Sequence, residues 1–208
     1  MIEVYYYLPL KQLNNAVECG LKLSQWFDKE VVINGESKRC ISTLLNPKDD
    51  IEKYKSNDFK CVKFELPPNY CFVADKHLYQ VGLSTPDVMD MYKSSITPVK
   101  DYIFGSFRLP ECLVTCTVIA DQINVLDMRL DSPVLFNSSE ELYTNNIIES
   151  YREVREDFND TLLYYFYCKL AEIGKADKIE DKERKIAVFM DKAKNTALTI
   201  KIPEIYSY

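Results

Sequence analysis

The chain has 208 residues, 47% hydrophobic and 28% charged, with a formal net charge of −6. This is long enough for one substantial core, and the composition is that of a folded rather than a disordered chain. Negative charge argues against sequence-independent nucleic-acid binding, which depends on lysine and arginine neutralising phosphates. The acidity is local: residues 95–174 hold 6 basic and 13 acidic side chains. A protein or small-molecule partner is therefore expected before bulk nucleic acid. No window approaches the ~18 apolar residues of a membrane span, and Met1-Ile2-Glu3-Val4 has no basic stretch of a secretion signal. The expectation is a cytoplasmic protein without a membrane segment.

In chain order, Val4 to Leu8 reads as a short strand and Pro9 suits the first turn of a helix. Leu10, Leu13, Ala16 and Val17 follow at helical spacing, and Gly20 ends that helix with Leu21 packed behind it. The segment 22–39 is mixed, but Val31 to Ile33 enters an Asn34-Gly35 turn and Cys40 to Leu45 continues as a second strand, a hairpin pattern. Pro47 to Tyr54 is a polar connection or one helical turn. Cys61 to Leu66 alternates apolar and charged residues, as a half-solvated strand does, and Tyr70 to Ala74 resumes as another strand.

Between Gln80 and Tyr102 the pattern is loop-rich, with one short helix around Asp87 to Lys93. Cys112 to Ile119 reads as a buried strand entered through Pro110-Glu111, and Ile123 to Leu126 as one more, after a bend at Ala120-Asp121. Ser138 with Glu141 forms a capping-box pair, and Ile147, Tyr151, Val154, Phe158, Leu162 and Tyr165 recur at helical steps, predicting a long amphipathic helix to about Gly174. A second helix is expected over Glu180 to Asn195, then a last strand through Leu198, Ile200 and Ile202. The predicted class is α+β: a mixed, mainly antiparallel sheet in the first two-thirds and helices in the C-terminal third. A single domain over 1–208 is expected, sheet-rich over 1–130 with 131–208 as a helical part packing on it.

The glycine-rich, P-loop, zincin and nucleophile-elbow motifs are absent. Seven cysteines, at 19, 40, 61, 71, 112, 116 and 168, include no CxxC pair, and one histidine cannot complete a zinc site at these spacings. Reduced, largely buried thiols and no metal are expected. His77, in a polar segment, is read as an exposed loop histidine. Cys112, beside the acid Glu111, lacks the nearby cation that a reactive thiol needs. Glu111 remains as the one acid that could centre a site; its alternative is a solvated acid at a strand start.

The segment Tyr5-Tyr6-Tyr7-Leu8-Pro9-Leu10 through Val17-Glu18-Cys19-Gly20-Leu21 resembles the opening of ADP-ribosyltransferase-like folds. The Pro110-Glu111-Cys112-Leu113-Val114 stretch, with Val118-Ile119 and the Ile123 to Leu126 strand, is similar to the catalytic-glutamate strand of the same superfamily, most of all its DarT-like branch. The resemblance covers about residues 4–127 and implies a mono-ADP-ribosyltransferase acting on a macromolecule with NAD as its cofactor. It implies Glu111 as the catalytic acid that stabilises an oxocarbenium-like cation, Arg39 as a pyrophosphate ligand, and Tyr7 stacked on nicotinamide or bonded to a ribose hydroxyl. Where the family carries histidine or arginine in the first strand, this chain has Tyr5, Tyr6 and Tyr7. A non-enzymatic binding, inhibitor or immunity-type α+β protein, acting through the acidic 95–174 region, is the second reading.

Overall fold

The computed structural model describes residues 1–126 and 159–204. Contacts divide the chain into two compact units, Met1–Lys76 with Asp90–Pro133, and His77–Met89 with Val134–Tyr208. The class is α+β, and every strand ladder among the described residues is antiparallel.

The first unit is built on an eight-stranded sheet. Its strands are β1 (Ile2–Pro9), β2 (Lys29–Ile33), β3 (Glu36–Leu44), β4 (Phe59–Leu66), β5 (Cys71–Asp75), β6 (Thr97–Pro98), β7 (Pro110–Val114) and β8 (Asn124–Val125). The spatial order is β6-β5-β7-β3-β1-β4-β8, with β2 pairing β3. Thus β7, late in sequence, is inserted between β3 and β5.

Because side chains alternate along a strand, the register decides which residues share a face. Val4, Leu8, Ile41, Val62, Phe64, Val73, Cys112 and Val114 form one apolar face, joined in the core by Ala16 of helix α1 (Leu10–Cys19) and by Leu21. Each valine, leucine, isoleucine or phenylalanine side chain among them, taken from water, contributes about 1.5–3 kcal/mol.

Two sequence signals set the local geometry of this unit. Asn34 and Gly35 both have positive φ, 54° and 82°, and Ile33 pairs directly with Glu36, the two-residue hairpin that an Asn-Gly pair favours. Gly20, at φ 74°, closes α1 by donating its N–H to the Ala16 carbonyl. It lies so close to the Val118 carbonyl that an added Cβ would be 2.4 Å from that oxygen. Only a glycine lets Leu21 and Val118 exchange backbone hydrogen bonds there, at 2.8 and 3.1 Å. Short helices α2 (Leu23–Trp26) and α3 (Ile51–Lys55) connect the strands. Helix α4 (Lys76–Gly82) follows β5 directly and α5 (Pro86–Ser95) comes next. His77, expected in an exposed loop, is half-buried in α4.

In the second unit, residues 159–172 are helical (α6), within the long helix expected over 138–174; its earlier part, with Ser138 and Glu141, lies outside the described residues. The helix predicted over Glu180 to Asn195 is instead strand. Here β9 (Ala176–Asp181), β10 (Ile186–Asp191) and β11 (Thr196–Lys201) form an antiparallel meander. Its turns explain the misreading. Lys, Glu, Arg and Ala between the strands favour a helix, but Asp181 accepts the Arg184 N–H, and Asp191 accepts those of Ala193 and Lys194. Aspartate turns of this kind hold the backbone locally and let Lys185 and Asn195 adopt positive φ, 55° and 51°. The last strand, expected through Leu198, Ile200 and Ile202, is present as β11 but ends at Lys201, one residue short of Ile202. Phe189, Ala187 and Ile200 form the small core under Tyr164, Tyr167 and Cys168 of α6.

Candidate functional site

The strand expected to begin after Pro110-Glu111 begins at Pro110, so Glu111 lies inside β7 rather than at its mouth. It pairs with Leu44 on one side and Ala74 on the other, and its side chain is fully buried at 0% exposure. Glu111 is therefore neither a solvated strand-start acid nor an acid open to solvent.

Three residues close around it. Lys29 of β2 pairs with Cys40, and two and four residues further along β3 stand Ser42 and Leu44, the latter opposite Glu111. Strand alternation puts Lys29, Ser42 and Glu111 on the same face, the one opposite the apolar core. Lys29 Nζ lies 2.6 Å from both Oε1 and Oε2 of Glu111. Ser42 Oγ donates to Oε2 at 2.5 Å, and the Tyr92 hydroxyl of α5 donates to Oε1 at 2.8 Å. The Lys29 ammonium also sits 5.4 Å from the Tyr92 ring centroid, a cation–π contact that fixes both groups.

Charge in this site is compensated locally. Burial pulls the Lys29 ammonium below the usual lysine range, and the Glu111 carboxylate opposes that shift. Asp28, exposed as a residue, aims its carboxylate at the Ser42 N–H at 2.9 Å. The desolvation of that position raises its pKa, while the Ser42 N–H and the Lys29 charge hold it back. Cys40, opposite Lys29, is pushed up to about 12 by burial and then by the charges of Asp28 and Glu111, so its thiol stays protonated and unreactive.

Of the other expected site residues, Tyr7 shares the face of Glu111, because Tyr5 on the same side of β1 pairs with Leu44. Its hydroxyl donates to the Pro47 carbonyl at 2.7 Å, and burial raises its pKa. Arg39 is one residue out of step with Cys40 and Ser42, so it projects from the opposite face. There it is exposed and stacks over Phe27, with the guanidinium 4.7 Å from the ring centroid. The fold thus places Glu111 and Tyr7 on one face and turns Arg39 away.

Lys29, Ser42 and Tyr92 were not legible as site residues from motifs. A usable signal does exist for Lys29: it is the inward residue of the period-two pattern Lys29, Val31, Ile33, all three buried. A charge on the buried face of a strand requires a counter-charge, and Glu111 in an apolar strand has the same need.

All seven cysteines are free thiols. Among the described residues no group of three or more His, Cys, Asp or Glu side chains is placed to hold a metal ion, and no helix is long and apolar enough to cross a membrane. Compared with protein-family models, curated proteins and solved structures, the chain gives no match.

Proposed function

We propose that this chain is a non-enzymatic binding protein on an α+β scaffold, in which Glu111 serves the fold rather than a reaction. One observation carries this reading: the Glu111 oxygens already accept four hydrogen bonds, two from Lys29 and one each from Ser42 and Tyr92. A carboxylate offers about four lone-pair sites, so none is left for a ribose hydroxyl or an incoming nucleophile. The position of Arg39 on the other face points the same way, since a pyrophosphate ligand would have to share the pocket of the acid. The acid surplus of residues 95–174 suits a basic protein partner, recognised through charge complementarity.

The test is a thermal-shift titration with NAD at millimolar concentration, with nicotinamide release measured in parallel. The expected result is no stabilisation and no release, for the wild type and Glu111→Gln alike. ADP-ribose transfer from NAD would require Lys29 to leave Glu111. Stabilisation by NAD together with nicotinamide release that Glu111→Gln abolishes overturns the binding reading in favour of the transferase.

A further inference from the structure

We propose that the chain forms a dimer through α6, with the same helix of a second copy laid antiparallel on its solvent face. Tyr164, Tyr167 and Cys168 turn one side of α6 onto the core of the meander. At about 100° per residue, Leu162, Tyr165, Phe166 and Lys169 fall on the side away from it. Ile173 continues that side, since its N–H still donates to the Lys169 carbonyl at 3.2 Å. Leu162, Tyr165, Phe166 and Ile173 are 55%, 51%, 57% and 62% exposed. Leu162 and Tyr165 are also the last two positions of the helical-step pattern read from the sequence. At this end of the helix that stripe therefore faces solvent, and a different one holds α6 to its own unit.

Size and rigidity set this face apart from scattered exposure. With about half of each side chain open, the four large residues present roughly 400 Å² of apolar surface, within the range at which a patch on a monomer is often functional. The two aromatic residues are also held in place. The Tyr165 ring stands edge-on to Tyr164, centroids 5.5 Å apart and planes at 79°, and the Phe166 ring stands edge-on to Tyr167, at 5.5 Å and 89°. Rings braced by side chains of the buried face lose little freedom on binding, which favours them as interface anchors.

Charge and residue order name the occupant. At −6 the chain as a whole repels its own copy, yet this face carries, among the described residues, one cation and one anion, Lys169 and Glu172, already paired with each other. It has no acid surplus for a basic partner and no lysine-rich border such as a helix lying on lipid carries. Leu162, Phe166, Lys169 and Ile173 follow one another along the face, and an antiparallel copy presents them in reverse. A two-fold axis between Phe166 and Lys169 sets Leu162 against Ile173 of the partner subunit and Lys169 over the ring of Phe166 of the partner subunit, each contact being made twice. Opposite ends of the two helix dipoles then lie side by side. With their polar rims the faces bury roughly 600 Å² per copy, the low end for specific interfaces, so the dimer is reversible and of micromolar affinity.

The test is sedimentation velocity of the full-length chain from low to high micromolar concentration. The expected result for the wild type is a shift from monomer to dimer across that range. Phe166→Glu sets two like charges close to the axis, and Leu162→Lys places a charge at the end of the apolar face. Each is expected to weaken association by about tenfold or more, with far-UV circular dichroism unchanged because both positions are exposed. Ile103→Glu, also exposed but in the first unit, is expected to leave the dimer intact. A wild type that stays monomeric throughout leaves the face to another occupant and overturns the proposal, whether or not the variants fold. So does a dimer that survives both Phe166→Glu and Leu162→Lys, or one that Ile103→Glu weakens equally. Association involves neither Glu111 nor NAD, so this measurement and the titration above fail or succeed separately.

Discussion

Lys29 and Glu111 belong to strands that share no ladder, yet their side chains meet over Ser42 of β3, the strand with which both pair. Such a pair is costly to bury, because each ion gives up its hydration. Completeness offsets the cost here: Ser42 and Tyr92 supply the remaining donors to the carboxylate, so no charge stands alone.

Removing one partner exposes that balance. Lys29→Met leaves Glu111 buried without its cation and is expected to destabilise the first unit by about 3–5 kcal/mol. Lys29→Met combined with Glu111→Leu removes both charges and is expected to recover most of that loss. Urea unfolding of the two variants and the wild type measures the difference; equal losses in the single and double variants would refute the pairing.

Tyr92→Phe keeps the ring over Lys29 and deletes only the donor to Oε1. The expected cost is about 1–2 kcal/mol, that of one hydrogen bond to a buried charge. Arg39→Ala, at an exposed position, is expected to stay within about 0.5 kcal/mol of the wild type. A reversed ranking in denaturant midpoints would contradict the burial of the Tyr92 hydroxyl.

The two glycines of left-handed conformation are expected to differ. Around Gly35 there is open space for a Cβ, so Gly35→Ala costs only backbone strain, about 1 kcal/mol. At Gly20 the same strain is joined by the 2.4 Å clash with the Val118 carbonyl, and Gly20→Ala is expected to cost about 3 kcal/mol or more. Thermal or urea unfolding of the two variants orders them.

Burial pushes the Asp49 carboxyl up to about 6, against the Asn46 N–H and Lys76, which favour its charged form. An unfolded aspartate titrates near 4. Between pH of about 4 and about 6 the folded chain therefore binds more protons than the unfolded one, and stability falls as pH rises across that window. Asp49→Asn has no such proton to lose and is expected to gain on the wild type from pH 4.5 to 7.5, as read from urea midpoints at about those two values. A margin that shrinks with rising pH would show that Asp49 is not held neutral.

Local signals carried the first unit well into view from sequence. The Asn34-Gly35 hairpin, the Gly20 helix end and the alternating Cys61 to Leu66 strand each arise from residues whose preferences act within a few positions. Sequence reading faltered where charged residues with helical propensity were held by aspartate turns, at 182–185 and 192–195, because one or two backbone hydrogen bonds to an aspartate decide against propensity there. Glu111 stood out by its setting in an apolar run. Its partners did not, since Lys29 lies 82 positions away and Ser42 69, and only the sheet order brings them together. Arg39 was drawn to the site by the family resemblance alone and is turned from it by a single step of strand alternation.

The insertion of β7 between β3 and β5 also sets the order in which the chain can assemble. The β2–β3 hairpin and the β9–β11 meander close over a few residues each, at little entropic expense. Strand β7 joins neighbours roughly 40 and 70 residues upstream, and such distant contacts are slow to nucleate. Until it docks, β3 and β5 each present an unpaired edge and Lys29 has no anion to meet. Strand β7 thus brings the counter-charge as it docks, so the interval before its arrival leaves the first unit open to mispairing with another chain.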